Sequence, residues 1–112
     1  MYKTIFTLVF IISSLMLKAQ QNPAEQLAQK IAQKMKDSLS LSTTQQQDLY
    51  TINLQLHQQK LTARSQNNGN LNAITVAIQH IENTRDSLYK PVLTAEQFTQ
   101  YRQKKLNLLN NN

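Results

Sequence analysis

Apolar residues recur at helical spacing along almost the whole chain beyond its first nineteen residues. Leu27, Ile31, Met35 and Leu39 follow one another at four-residue steps, with Ala24, Ala28 and Ala32 beside them. That spacing predicts an amphipathic helix of about four turns. Asn22-Pro23 suits its start, with Asn as cap and Pro in the first turn. A second stripe, Leu49, Ile52, Leu56 and Ala63, is widened by Tyr50, Leu54 and Leu61. It predicts a helix from Thr43 to about Ser65, roughly 35 Å long at 1.5 Å per residue. Its apolar residues lie on more than one side, so either all of them are internal core, or one face lies inside the protomer and another is exposed or shared with a second copy. Gln66-Asn67-Asn68-Gly69-Asn70 is the strongest breaker cluster and reads as a loop or bend. Beyond it, Leu71, Ile74, Ile78, Ile81 and Leu88 alternate three- and four-residue steps, with Arg85 filling the missing position. This heptad-like seam predicts a third helix packed antiparallel on the second. Pro91 disfavours helix through Lys90. A fourth helix follows, with Phe98, Tyr101, Leu108 and Leu109 on its inner side.

The helix starts carry a repeated motif. Leu41-Ser42-Thr43-Thr44-Gln45 and Leu93-Thr94-Ala95-Glu96-Gln97 begin 52 positions apart. In each, a hydroxyl residue at the N-cap accepts a first-turn N–H, and a Gln three positions later reaches back to the N-cap N–H. Leu93 and Phe98 stand where a hydrophobic staple forms. Gln46 occupies the staple position of the first copy, so Leu41 must find its partner further along, at Leu49. Leu41, Ser42, Gln45, Leu93, Thr94 and Gln97 are therefore read as structural helix-initiating residues.

Residues 1–19 have the pattern of a secretory leader. Lys3 supplies a positive start, Ile5 to Leu17 is an almost entirely apolar run of 13 residues, and Ala19 is a small cleavage-site residue. A membrane span needs about 20 apolar residues, so the run is short for an uncleaved anchor. Cleavage would leave residues 20–112 as one domain. It removes Lys3 and Lys18 and no acid, which lowers the formal net charge from +6 to +4. The chain has no Cys, so an exported fold must hold without disulfides. One Gly and two Pro among 112 residues are too few turn formers for a strand-rich fold. The predicted class is all-α: four amphipathic helices in long hairpins after a signal peptide.

The same residues speak against catalysis. Asp37, Asp48, Glu82, Asp86 and Glu96 are scattered among basic and polar positions. There is no nucleophile elbow and no glycine-rich phosphate loop. An enzyme is not expected, and no cofactor is implied. His57 and His80 are too few for a metal site, which needs three or four convergent ligands. They would approach each other if the second and third helices formed a hairpin. Nucleic acid is not expected as a partner, because no basic-aromatic motif accompanies the positive charge. Membrane contact is not expected after leader cleavage.

The paired motif resembles the Leu-Thr-x-x-Gln repeat of the Spy/CpxP family of bacterial periplasmic chaperones and stress regulators. Leu93-Thr94-Ala95-Glu96-Gln97 matches that pattern fully. The first copy has Ser42 in place of Thr, which keeps the capping oxygen. The resemblance implies a curved all-helical dimer in the Gram-negative periplasm that cradles unfolded or partly folded proteins without ATP. Export alone also allows secretion. The family's other role is a regulatory adaptor that binds one envelope stress sensor, in some relatives with metal sensing. Under the chaperone reading, Lys30, Lys34, Lys60, Arg64, Arg85 and Lys90 are the candidate client-binding cations, since positive side chains speed encounter with acidic segments.

Overall fold

The computed structural model describes residues 22–110, so the expected leader over 1–19 lies outside the described residues. The architecture is all-α, as the hydrophobic pattern predicts. The elements are α1 (Pro23–Leu39), α2 (Thr43–Gln66), α3 (Leu71–Asn83), α4 (Arg85–Tyr89) and α5 (Ala95–Leu108).

The helix ends have local chemical causes. Asn22 Oδ1 accepts the Glu25 N–H at 2.9 Å, and Pro23 opens α1 where its missing N–H costs nothing. The other end turns at Ser40, whose φ of 56° is left-handed. The N–H groups of Ser40 and Leu41 both reach the Lys36 carbonyl. This closure resembles a Schellman turn, and it carries Leu41 into the core cluster that contains Met35. A side chain in that conformation costs about 1 kcal/mol, which burial of Leu41 helps to offset.

Both expected capping boxes are formed. Ser42 Oγ accepts the Gln45 N–H at 3.1 Å, and Gln45 Oε1 accepts the Ser42 N–H at 2.9 Å. Thr94 Oγ1 accepts the Gln97 N–H at 3.1 Å, and Gln97 Oε1 accepts the Thr94 N–H at 3.0 Å. Leu93 is buried, and Phe98 packs against the cluster it belongs to. Thr94→Ala removes one of these acceptors. Its urea midpoint should fall by an amount equivalent to about 0.5–2 kcal/mol. An unchanged midpoint would mean that the cap does not hold α5 in place.

The third predicted helix departs from expectation. It is interrupted at Thr84 and divides into α3 and α4. Both the backbone N–H and the hydroxyl of Thr84 donate to the Ile81 carbonyl, at 3.1 and 2.7 Å. This tightens the last turn of α3 before the helix resumes. No glycine or proline marks the site, so the hydrophobic pattern runs straight across it.

Helix α2 lies between α1 and the α3/α4 pair. Gln46 bonds Gln33 while Asn53 bonds the Ala28 carbonyl, which sets α1 antiparallel to α2. Asn53 meets Arg85 while Lys60 meets Glu82, which sets α3/α4 antiparallel to α2 as predicted. Helix α5 returns along α1: Lys34 reaches the carbonyls of Asn107 and Asn110, and Lys104 reaches that of Ser38. The core is concentrated at one end, where Ile31, Met35, Leu39, Leu41, Leu49, Tyr89, Leu93, Tyr101 and Leu108 pack together. The other end is thin. No residue of α3 is buried, although the helix is largely apolar. Leu71 and Val76 are 77% and 70% exposed, and Leu61 on α2 is 54% exposed.

Candidate functional site

The two motif glutamines meet. Gln45 Nε2 donates to Gln97 Oε1 at 2.7 Å and to the Val92 carbonyl at 3.1 Å. Gln97 Nε2 lies 3.4 Å from both Gln45 Oε1 and the Leu39 carbonyl. Each amide oxygen thus serves its own helix start, while each amide nitrogen crosses to the chain leading into the other helix. The arrangement is close to two-fold. It ties together segments 52 residues apart, using every hydrogen-bonding direction these side chains offer. If the clasp acts as a unit, Gln45→Ala and Gln97→Ala will not be additive. A double-mutant cycle should give a coupling of about 0.5–3 kcal/mol. Additive losses would show two independent caps.

A second polar cluster is buried between α2 and α4. Arg85 is 1% exposed and Asn53 is fully buried. The guanidinium forks onto Glu82, with Nε to Oε2 at 2.9 Å and Nη2 to Oε1 at 2.8 Å. Nη1 donates to Asn53 Oδ1 at 2.9 Å and to the Tyr89 hydroxyl at 2.7 Å. Tyr89 in turn donates to Asn53, and Lys60 pairs with Glu82. The Tyr89 and Tyr101 rings meet edge to face at 5.0 Å. Tyr101 donates to Asp86, which also accepts from Lys105.

These contacts set the charge states. Burial opposes ionisation of Glu82, but the hydrogen bonds from Arg85 and Lys60 outweigh it and hold the carboxyl at about 2. Burial works against the Arg85 cation too, and its bonds to Glu82 keep it charged. Burial pushes the Tyr89 hydroxyl up to about 12. Burial also raises Tyr101, reinforced by Asp86, so both phenols stay protonated. These groups neutralise and hydrogen-bond one another, which makes the cluster a structural core rather than a reactive one.

The six candidate cations therefore separate. Arg85 is a correction: the structure places it inside, because a forked guanidinium completes the bonding of Glu82, Asn53 and Tyr89. Lys60 is half-buried and engaged by Glu82, and Lys34 is half-buried over the carbonyls that end α5. Lys30, Arg64 and Lys90 are exposed. Asn53 and Tyr89 escape the sequence reading. The signal for Asn53 is its place four residues after Leu49 and three before Leu56, within the buried stripe.

His57 is half-buried, whereas His80 is exposed. No group of three or more metal-ligating side chains converges among the described residues. Burial, with Lys60 and Arg85 nearby, lowers the His57 pKa. Its Nε2 is the buried side-chain nitrogen left without a hydrogen-bond partner among the described residues. Among these residues, no helix is long and apolar enough to cross a membrane.

The fold and clasp define a small all-helical protein in which paired helix caps organise two halves. No family model, curated protein or solved structure matches the chain.

Proposed function

We propose that this protein is an ATP-independent chaperone of the cell envelope, exported by the leader at residues 1–19. It holds unfolded or aggregation-prone proteins in the periplasm. The observation that carries this reading is α3, a largely apolar helix with no buried residue. Large apolar side chains left exposed on a helix are candidate contacts for another protein. Leu71, Val76 and Leu61 offer dispersed contacts rather than one deep anchor. Such contacts favour weak, exchangeable binding over one specific partner. Exposed Lys30, Arg64 and Lys90 add an electrostatic encounter step. The motif resemblance to Spy/CpxP proteins points the same way.

The test is suppression of aggregation for several unrelated unfolded proteins, with the chaperone at near-stoichiometric amounts. Broad suppression that weakens with added salt supports the reading. Leu71→Ser/Val76→Ser should lose most of the effect while keeping its helical signal, because both side chains are exposed. No suppression, together with tight binding to one envelope sensor, would replace the chaperone reading with a regulatory adaptor. The solution mass shows whether a homodimer covers part of α3.

A further inference from the structure

The connection between α2 and α3 is a tight turn. The Asn70 N–H donates to the Asn67 carbonyl at 2.9 Å, and Gly69 has a φ of 86°. That combination is the pattern of a type II turn, with Asn68 and Gly69 at its two central positions. Gly69 supplies the positive φ without strain. Both residues are exposed, and a Cβ added at Gly69 would meet nothing within 4 Å. Among the described residues, no hydrogen bond engages the Asn68 amide or the Gly69 N–H. The neighbouring asparagines are committed. Asn67 donates its amide to the Ala63 carbonyl at 2.8 Å, and Asn70 Oδ1 caps α3 by accepting the Ala73 N–H at 3.1 Å.

We propose that Asn68 is a self-modification site, at which the chain converts this asparagine to isoaspartate and aspartate through a cyclic imide. The reaction needs only water. The Gly69 nitrogen, once its proton has passed to solvent base, attacks Asn68 Cγ and closes a succinimide ring. The Cγ–Nδ2 bond breaks, and the nitrogen leaves as ammonia with a proton from water. Water then opens the ring at either carbonyl. Opening at Cγ gives aspartate. Opening at the backbone carbonyl gives isoaspartate, whose main chain runs through Cβ and Cγ. Glycine favours the closure because no Cβ hinders the attacking nitrogen. Other asparagines lack this opportunity. Asn22 precedes Pro23, which has no N–H to give up. Asn53 is fully buried, and Asn72 precedes Ala73, whose N–H is held by Asn70. Conversion places a new negative charge two residues ahead of the Asn70 cap. The inference stands apart from the chaperone reading.

The experiment incubates the purified protein in mildly alkaline buffer, folded and in urea, and follows each asparagine by peptide mass mapping. Electron-transfer fragmentation separates isoaspartate from aspartate. In the folded protein Asn68 should convert ahead of every other asparagine, at a rate that rises with hydroxide, and the product should contain both acids. Asn68→Gln should abolish the acidic species and keep the helical signal, because the side chain is exposed and unbonded. In the urea-unfolded chain, where turn geometry plays no part, Gly69→Ala should slow conversion about tenfold, the effect of a small added barrier on a rate. An Asn68 that stays intact when folded but converts in urea would overturn the proposal, because the turn would then protect it. Aspartate as the sole product would overturn it too, since direct hydrolysis would replace the imide route. So would an acidic species that persists in Asn68→Gln.

Discussion

Arg85→Ala should lower the stability of this protein by about 3–5 kcal/mol, the range for breaking a buried ion pair from one side. The loss has identifiable sources. Glu82 keeps Lys60 but loses a forked partner, and Asn53 and Tyr89 each lose a donor in a site without solvent access. Arg85→Lys should recover only part of the loss, because an ammonium cannot reproduce the fork that meets Glu82 while also reaching Asn53 and Tyr89. Glu82→Leu combined with Arg85→Leu should be milder than Arg85→Ala, since much of the penalty comes from a stranded charge. Urea unfolding of the three variants measures the order. A near-neutral Arg85→Ala would mean that the cluster is a surface feature with no structural role.

Acid should weaken the fold through the same cluster. The Glu82 carboxyl is held at about 2 in the folded chain, against 4.5 for its ordinary value. Below 4.5 the unfolded chain takes up a proton that the folded chain still refuses. Stability from this group is therefore complete above about pH 4.5 and disappears as pH falls toward 2. The shift corresponds to about 3 kcal/mol. Asp86, held down by Lys105 and Tyr101 against the effect of burial, acts in the same direction. His57 adds an earlier loss: its pKa is lowered from 6.5, so the unfolded chain protonates first as pH drops below that value. Urea midpoints between pH 7 and pH 2 should trace this decline, and Glu82→Gln should flatten the segment below pH 4.5. An equally steep decline in Glu82→Gln would remove the carboxylate from the account.

The helix starts were legible because their causes are local. Ser42, Gln45, Thr94 and Gln97 declare a cap within four residues, and the observed bonds are the ones that spacing requires. The antiparallel seam was legible too, since Ile74, Ile78 and Ile81 point one way at helical period. What escaped depends on residues brought together from afar. Nothing near Gln45 announces that its amide nitrogen will meet Gln97. Arg85 could be read as a surface cation or as a seam residue from its spacing. Only the position of Asn53 on the neighbouring helix decides for the seam. The interruption at Thr84 rests on one hydroxyl choosing the Ile81 carbonyl, a contest between nearly equal hydrogen bonds that residue type does not settle.

The clasp between Gln45 and Gln97 also bears on the order of assembly. A ribosome delivers the first helix start long before the second. Until residues 92–97 emerge, the Gln45 amide nitrogen has neither the Val92 carbonyl nor Gln97 to bind, and the segment around Leu39 lacks its partner from α5. The N-terminal hairpin of a nascent chain therefore remains unlatched until the second helix start has been made.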